Sequence, residues 1–536
     1  MKFFPTRIAS LLSITCAIFF IFSCQNDLDL LQEVILNDPT SKAIEDRDKK
    51  EKHNNNVEST TDNQLQGNSA TPEYHLILDE LKSFPSAFGA GKYVEGGRGQ
   101  EVYEVTNLND SGPGSFRDAL SEGNRIIIIK VEGIVHLKSQ LAPSSSDNIT
   151  IWGQFAPGRG LTISDNRIVI ENASNVIMRH MTFQNMKIDG YSAFGFRNLK
   201  PGAGIYADHN SFRYGKDQTF DVGMRHSDNR VTASYNIMAE TADTGSSGGI
   251  FGDSGNGLVN VGALTFARNM SYNLSHRFPN LSGGEMKVEH YNNYIVNWSS
   301  RLTRTNGGVM VDWFNNYCDE GNRVKSSSTP INKASYHPNF RTYTANNYVG
   351  GINENPSENQ KDLWVYYKDN VVAKDNEPIL NLHYKNARQH FFNDPSDGIW
   401  DVYEVPQRVR ASVGHNRGIN EDGSPGFFRD DKDADYIYNA ASGNTESQYR
   451  SSNEWDYSSF TGTNLYKDSD GDHMPDWFEN HHQHLDPNLY DSDNVHENWS
   501  FGLYDVSNYA GYTNLEMCAE FYAGGFESMI DGINDL

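Results

Sequence analysis

The chain has 536 residues, of which 37% are hydrophobic, with 28 Tyr and 28 Phe, so it can bury a sizeable core and exceeds one small domain. Its 45 Lys and Arg against 70 Asp and Glu leave a formal charge of −25. That sign excludes a nucleic-acid backbone as the natural partner, whereas an acidic polymer can still bind where local Lys, Arg or a divalent cation supplies the attraction.

Residues 1–24 read as a targeting segment: MKFFPTR gives a basic start and IASLLSITCAIFFIFSC an apolar run. The stretch from Ile21 to Cys24 resembles a lipobox, which implies a lipid on Cys24 and a protein exported and anchored to an outer membrane or cell surface. The alternative is an ordinary signal peptide or membrane anchor. Acidic QNDLD follows at once, and no second apolar span of membrane length appears. Of four cysteines, Cys24, Cys318 and Cys518 survive cleavage, too few for a disulfide framework, and no CxxC suggests zinc. Residues 25–72 are polar and poor in aromatics, a disordered tether in composition. A short helix is expected at HLILDELKSF, residues 75–84.

An internal repeat runs from about residue 175 to 372. Short β-like segments end in an Asn before an aromatic or aliphatic residue: Asn210, Asn236, Asn269, Asn293, Asn316, Asn347 and Asn370. Alternation in Val, Ile, Tyr and Phe argues strands rather than helices. Separations in the twenties and low thirties suit one coil of a parallel β-helix, with Asn at a fixed corner bonding to the Asn of the next coil. A β-propeller is the alternative, although its blades usually need longer repeats. The body is therefore expected to be all-β over residues 73–375. A mixed β and loop extension follows over 376–460. An Asp-rich and short helical region at 461–536 is expected to pack as a lid or stand as a small C-terminal appendage.

Three stretches carry a family resemblance: FPSAFGAGKYVEGGRGQEVYEVTNLNDSGPGSFRDAL, NITIWGQFAPGRGLTI, and YADHNSFRYGKDQTFDV followed by VTASYNIM and SHRFPN. In that order, over about residues 84–300, they resemble pectate lyases of the first polysaccharide lyase family, here in a lipoprotein form. The resemblance implies a right-handed, single-stranded parallel β-helix. It also implies a Ca2+-assisted lyase that cleaves pectate, or polygalacturonate, by β-elimination and acts as a monomer. Arg277 in SHRFPN falls at the family's catalytic Arg, and Asp217 and Asp221 in KDQTFDV fall at a calcium-binding pair. A guanidinium is a poor base, so Arg277 either has an unusual environment or chiefly stabilises the enolate.

Departures from the family pattern leave alternatives open. Its further acidic ligand should fall near Ser192, its Lys near Thr241–Asp243, and its second Arg at Ser282. Arg213, Lys216, Lys287, Arg301 and Arg304 are substitute cations. A calcium-independent lyase on methyl-esterified pectin is one alternative, and a catalytically decayed carbohydrate-binding β-helix is another. GAGKYVEGG lacks the ending of a phosphate loop and reads as a turn.

Asp208 and His209 in ADHNSF match a family signature, yet their place before the ladder Asn favours a structural hydrogen-bonding role. In DSDGDHMPD, Asp468, Asp470, Asp472 and Asp476 resemble a structural calcium loop, with His473 where Gly is usual.

Overall fold

Apolar β-branched and aromatic segments alternate with Asn-rich corners, and the chain winds that alternation into stacked coils. The computed structural model describes residues 81–525 apart from 144–145, 186–191, 242–246, 254–257, 323–330, 359, 369–370, 373–382, 393–397, 446–459, 483, 497–499, 502–503 and 506–510. The targeting segment, Cys24, the tether, Asn370, Asp243 and most of the expected helix at 75–84 lie outside the described residues; Leu81–Phe84 run as loop and bend.

Nine parallel strands form one face, from Gly133–His136 through Leu161–Ser164, Thr182–Gln184, Ser211–Gly215, Ile237–Thr241, Met270–Tyr272, Tyr294–Val296 and Tyr317–Asp319 to Tyr348–Val349. A second face stacks Glu101–Val105, Arg125–Ile129, Asp147–Trp152, Ser174–Arg179, Gly204–Asp208, Arg230–Ser234 and Ala263–Ala267, each parallel to the next. A third stacks Ile168–Glu171, Ser192–Arg197, Gln218–Val222 and Ile250–Gly252. The last two faces merge in Asn280–Tyr291 and Arg304–Phe314, long strands that run through both with a register irregularity between Gly283 and Glu285. The protein is a parallel β-helix. Partners along each face come from successive coils, not from hairpins, which excludes a propeller.

The corner Asn side chains form the expected ladder and refine it. Asn210, Asn236, Asn269, Asn293 and Asn316 each donate both backbone N–H and side-chain amide to the Oδ1 of the next member, at 2.9–3.1 Å. Asn347 ends the run on the Oε1 of Gln360. The left-handed backbone falls one residue before each ladder Asn: His209, Tyr235, Arg268, Asn292, Asn315 and Asn346 have φ of 50–60°. The bend is made by the preceding residue, which turns the Asn inward where its amide replaces water as partner for main-chain groups.

Inside the coil, Phe183, Phe212 and Phe220 stack, with centroids 5.7 and 4.3 Å apart. Helices Val405–Ser412 and Asp431–Ser442 lay Val405, Val409, Tyr436 and Ile437 over the outer side of the nine-stranded face, against Ile237, Met270, Tyr272 and Tyr294. Helix Asn514–Tyr522, opened by a Thr513–Glu516 capping box, packs against Trp152 and Phe155. The C-terminal region therefore lies on the coils and does not stand apart from them.

Candidate functional site

In-register parallel pairing carries one sequence position per coil into a column on the third face. Ile250, Asn280, Arg304 and Lys333 are successive partners in one such column, with coils about 4.8 Å apart. At its head, the buried Asp221 accepts the N–H of Ile250 at 2.9 Å. A groove thus follows the coil axis from an acidic end to a basic one.

The basic end is a cleft of about 500 Å³ lined by Arg277, Asn280, Arg304, Asn306, Tyr336 and His337. Arg277 sits at a break in the strands, with φ of 68° and a cis peptide bond immediately after it between Phe278 and Pro279. Its Nη1 donates to Asp217 Oδ1 at 3.1 Å and to Ser247 Oγ at 3.2 Å, while its Nε is buried without a hydrogen-bond partner. Arg301 reaches Asn280 Oδ1 at 3.4 Å. Burial, with Arg304 and Arg277 close by, lowers the Arg301 guanidinium to about 10, and burial with Arg277 lowers Arg304. Burial and the same Arg301 and Arg277 push His276 down to about 3. These groups form a concentrated positive field.

The acidic end is a neighbouring cleft of about 360 Å³, lined by Asp217, Asp221, Arg197 and Arg225 among others and sharing Ile250 with the first. Asp217 is half exposed and accepts from Arg277 through Oδ1 and from Gln218 Nε2 through Oδ2, the latter at 2.6 Å. Asp221 accepts from the Ser192 hydroxyl as well as from Ile250. Burial lifts its carboxyl to about 6 against those two hydrogen bonds and the Arg197 charge. Ser192, near which a further acid was expected, is therefore a hydrogen-bond donor to Asp221. Arg225 is neutralised by Asp253. The donor set fits a hard divalent cation in kind, two carboxylates opening on one cleft. It is small in number, so substrate and water oxygens would complete the coordination.

Other expected residues go elsewhere. Arg213 is buried and held by Asp430 Oδ2 at 2.6 Å and Asp433 Oδ1 at 3.1 Å, so it anchors helix Asp431–Ser442 and adds no charge to the groove. Lys216 and Lys287 are exposed. His209 stacks between His180 and Tyr235, at 5.0 and 4.5 Å. Burial works to raise the Asp208 carboxyl, but His209 and Arg179 outweigh it and hold the group down to about 2. Both are internal struts.

In the Asp-rich region, the carboxylates of Asp468, Asp470 and Asp472 lie within 4.8 Å of one another, as do those of Asp472, Glu479 and Asp491. Asp476 is turned away from both groups. It accepts from the Ser469 N–H at 2.7 Å and from Lys467 Nζ at 2.6 Å, at the first position of the short helix Asp476–Asn480. Sequence reasoning missed Lys333, Tyr336, His337, Glu479 and Asp491. Lys333 and Glu479 had a readable signal, one as the next member of a strand column, the other as the twelfth position counted from Asp468.

No family model matches the chain. Among curated proteins it is similar to a probable pectate lyase C of Emericella nidulans, 29% identical over 429 residues that cover 80% of this chain and 92% of that one. The protein of the same description from Neosartorya fischeri is 28% identical over 457 residues, 83% of this chain and 95% of the other. That from Aspergillus flavus is 33% identical over 272 residues, 50% and 60% of the two chains. Among solved structures, a pectate lyase from Bacillus sp. N165 in complex with trigalacturonate has 13% identity and a TM-score of 0.41 over 61% of this chain and 98% of that one. The likeness to the fungal relatives, which runs through nine-tenths of the length of the first two, supports the pectate lyase superfamily for this chain.

Proposed function

We propose that the protein is a polysaccharide lyase that cleaves pectate by β-elimination in the groove between Asp221 and Lys333. The observation that carries this reading is the clustering of Arg277, Arg301 and Arg304 beside an open cleft. In the reaction a base takes the proton on C5, alpha to the uronate carboxylate; the C5 electron pair forms the C4–C5 double bond; the C4–O bond breaks, and the departing oxygen takes a proton. The barrier lies in negative charge growing on a group already anionic. Fixed positive charge in a partly dry site lowers it, because it is in place before the reaction starts. Arg277, at the junction of the two clefts, is the residue assigned to the reacting sugar. Arg304 and Lys333, one and two coils away, hold carboxylates of the neighbouring units. Asp217 and Asp221 would hold a calcium ion, which would add positive charge to the same field.

Free carboxylates suit this row of cations better than methyl esters, which carry no charge to pair with it. The lipobox-like stretch ending at Cys24 supports export and a lipid tether. One assay tests the reading: the mature chain is incubated with polygalacturonate in calcium and then in chelator, and the ultraviolet absorbance of the unsaturated product is followed. Product that requires calcium is expected. Product from esterified pectin in chelator would favour the calcium-independent alternative, and binding without product would favour a decayed carbohydrate-binding module.

A further inference from the structure

We infer that the C-terminal region holds a calcium ion of its own, ligated by Asp468, Asp470, Asp472, Glu479 and Asp491, remote in sequence from the groove and structural in role. A cluster of acids alone would not carry this. The deciding group is Glu479: it is 0% exposed and neither of its carboxylate oxygens has a hydrogen-bond partner. Burying a carboxylate without partners is among the costliest arrangements a fold can contain. Here it lies within 4.8 Å of two more buried carboxylates, Asp472 and Asp491. Asp470 Oδ2 is likewise buried and unpartnered. Lys130 reaches Asp468 at 3.5 Å, one ammonium against five carboxyl groups.

The spacing has the form of an oxygen-ligand loop. Counted from Asp468, the three Asp stand at positions one, three and five and Glu479 at twelve, where such loops place a bidentate Glu. His473, at the sixth position, has φ of 79° and so makes the sharp turn that Gly usually makes there. The main-chain N–H groups of Gly471 and His473 donate to Asp468, and that of Met474 donates to Asp472, which fixes these carboxylates in place. Asp491 is positioned from the other side by the Asn514 side chain at 3.1 Å. The ion therefore joins three separate segments: the loop, the stretch at Asp491 and the start of helix Asn514–Tyr522. His473 Nδ1 also meets Glu104 at 2.9 Å, so the loaded loop braces the first coils of the solenoid.

The test uses the purified full chain, stripped with chelator and titrated with Ca2+ by calorimetry, with Tb3+ luminescence sensitised through Trp477 as a second probe. Wild type is expected to bind one equivalent that Asp217→Asn/Asp221→Asn retains and Glu479→Gln loses, together with the Tb3+ signal. Wild-type unfolding temperature should rise on adding Ca2+, and this rise should vanish in Glu479→Gln. Because Glu479 is buried, the half-buried Asp470→Asn serves as a second variant, expected to fold and to bind the ion more weakly. Retention of the same number of equivalents in Glu479→Gln and Asp470→Asn would overturn the inference, as would a wild-type chain that binds no ion outside the groove.

Discussion

Arg277 Nη1 lies 3.1 Å from Asp217 Oδ1, a pairing across 60 residues that joins the basic and acidic halves of the groove. Arg277 is the group placed closest to both. Arg277→Ala is expected to lower kcat on polygalacturonate by about 10³-fold or more, with little change in unfolding temperature, because the guanidinium is part-exposed and its main bond is to a half-exposed acid. Arg277→Lys keeps the charge and loses the forked geometry, so partial recovery would assign the residue to charge stabilisation and none to a geometric or proton-transfer role. Steady-state kinetics with thermal melts read both.

The cation column makes a separate prediction about binding. Arg304→Gln and Lys333→Gln should each raise KM for polygalacturonate by roughly tenfold, the worth of one partly desolvated charge contact, and leave kcat within a few-fold. The same changes should matter less as the substrate's degree of methyl esterification rises. Equal effects on esterified and free substrate would remove these residues from carboxylate recognition.

Two buried histidines set an acid limb on stability. His290, which meets the Phe278 carbonyl at 2.7 Å through Nε2, and His415 are both held down to about 4 by burial. Their folded values lie below the unfolded value of about 6.5, so the unfolded chain binds the proton more tightly. Their contribution is full above about pH 6.5 and is lost as pH falls through about 4, on the order of 3 kcal/mol each. Glu289 and Asp433, buried carboxyls raised by desolvation, act in the opposite sense over the same window. The measurement is therefore the difference between wild type and His290→Gln in urea midpoint against pH, expected to shrink as pH falls from 7 to 4.

Asn269 accepts from the main-chain and side-chain amides of Asn236 and donates to the Ala233 carbonyl and to Asn293, all at 2.9–3.1 Å and nearly without exposure. Asn269→Ala should destabilise the chain by about 2–4 kcal/mol, because it strands a buried N–H and a carbonyl. An unchanged urea midpoint would show that the ladder adds little.

The proposed lipid tether at Cys24 makes a prediction about location. Cys24→Ser is expected to move the protein from the membrane fraction to the soluble fraction and to abolish incorporation of labelled fatty acid; membrane association unchanged in that variant would count against a lipid tether.

Much of the groove was legible because a parallel β-helix converts sequence spacing into spatial columns. The ladder from Asn210 to Asn347 follows that spacing directly, whereas Arg277, Asp217 and Asp221 were legible through the resemblance of their motifs to those of a known family. What the sequence hid depends on partners supplied from far away. Arg213 reads as a free cation until Asp430 and Asp433 arrive from 217 and 220 residues downstream. Asp476 was an equal candidate with its neighbours until the short helix turned it toward Lys467. Asp491 had no signal, since an irregular stretch separates it from the loop it completes. The left-handed residues at the corners were hidden for another reason: Tyr235 and Arg268 have no intrinsic preference for positive φ, and the stacked coils impose it.

The guanidinium of Arg179, buried in an early coil, is shared between Asp208 at 3.0 Å and Glu520 at 2.6 Å, the latter 341 residues further along. A polypeptide still emerging from the ribosome lacks Glu520 until 341 residues beyond Arg179 have been made, so until then its early coils carry this charge cluster half assembled. Winding can begin early, but this cluster is neutralised only when the distant segment that carries Glu520 docks on the coils.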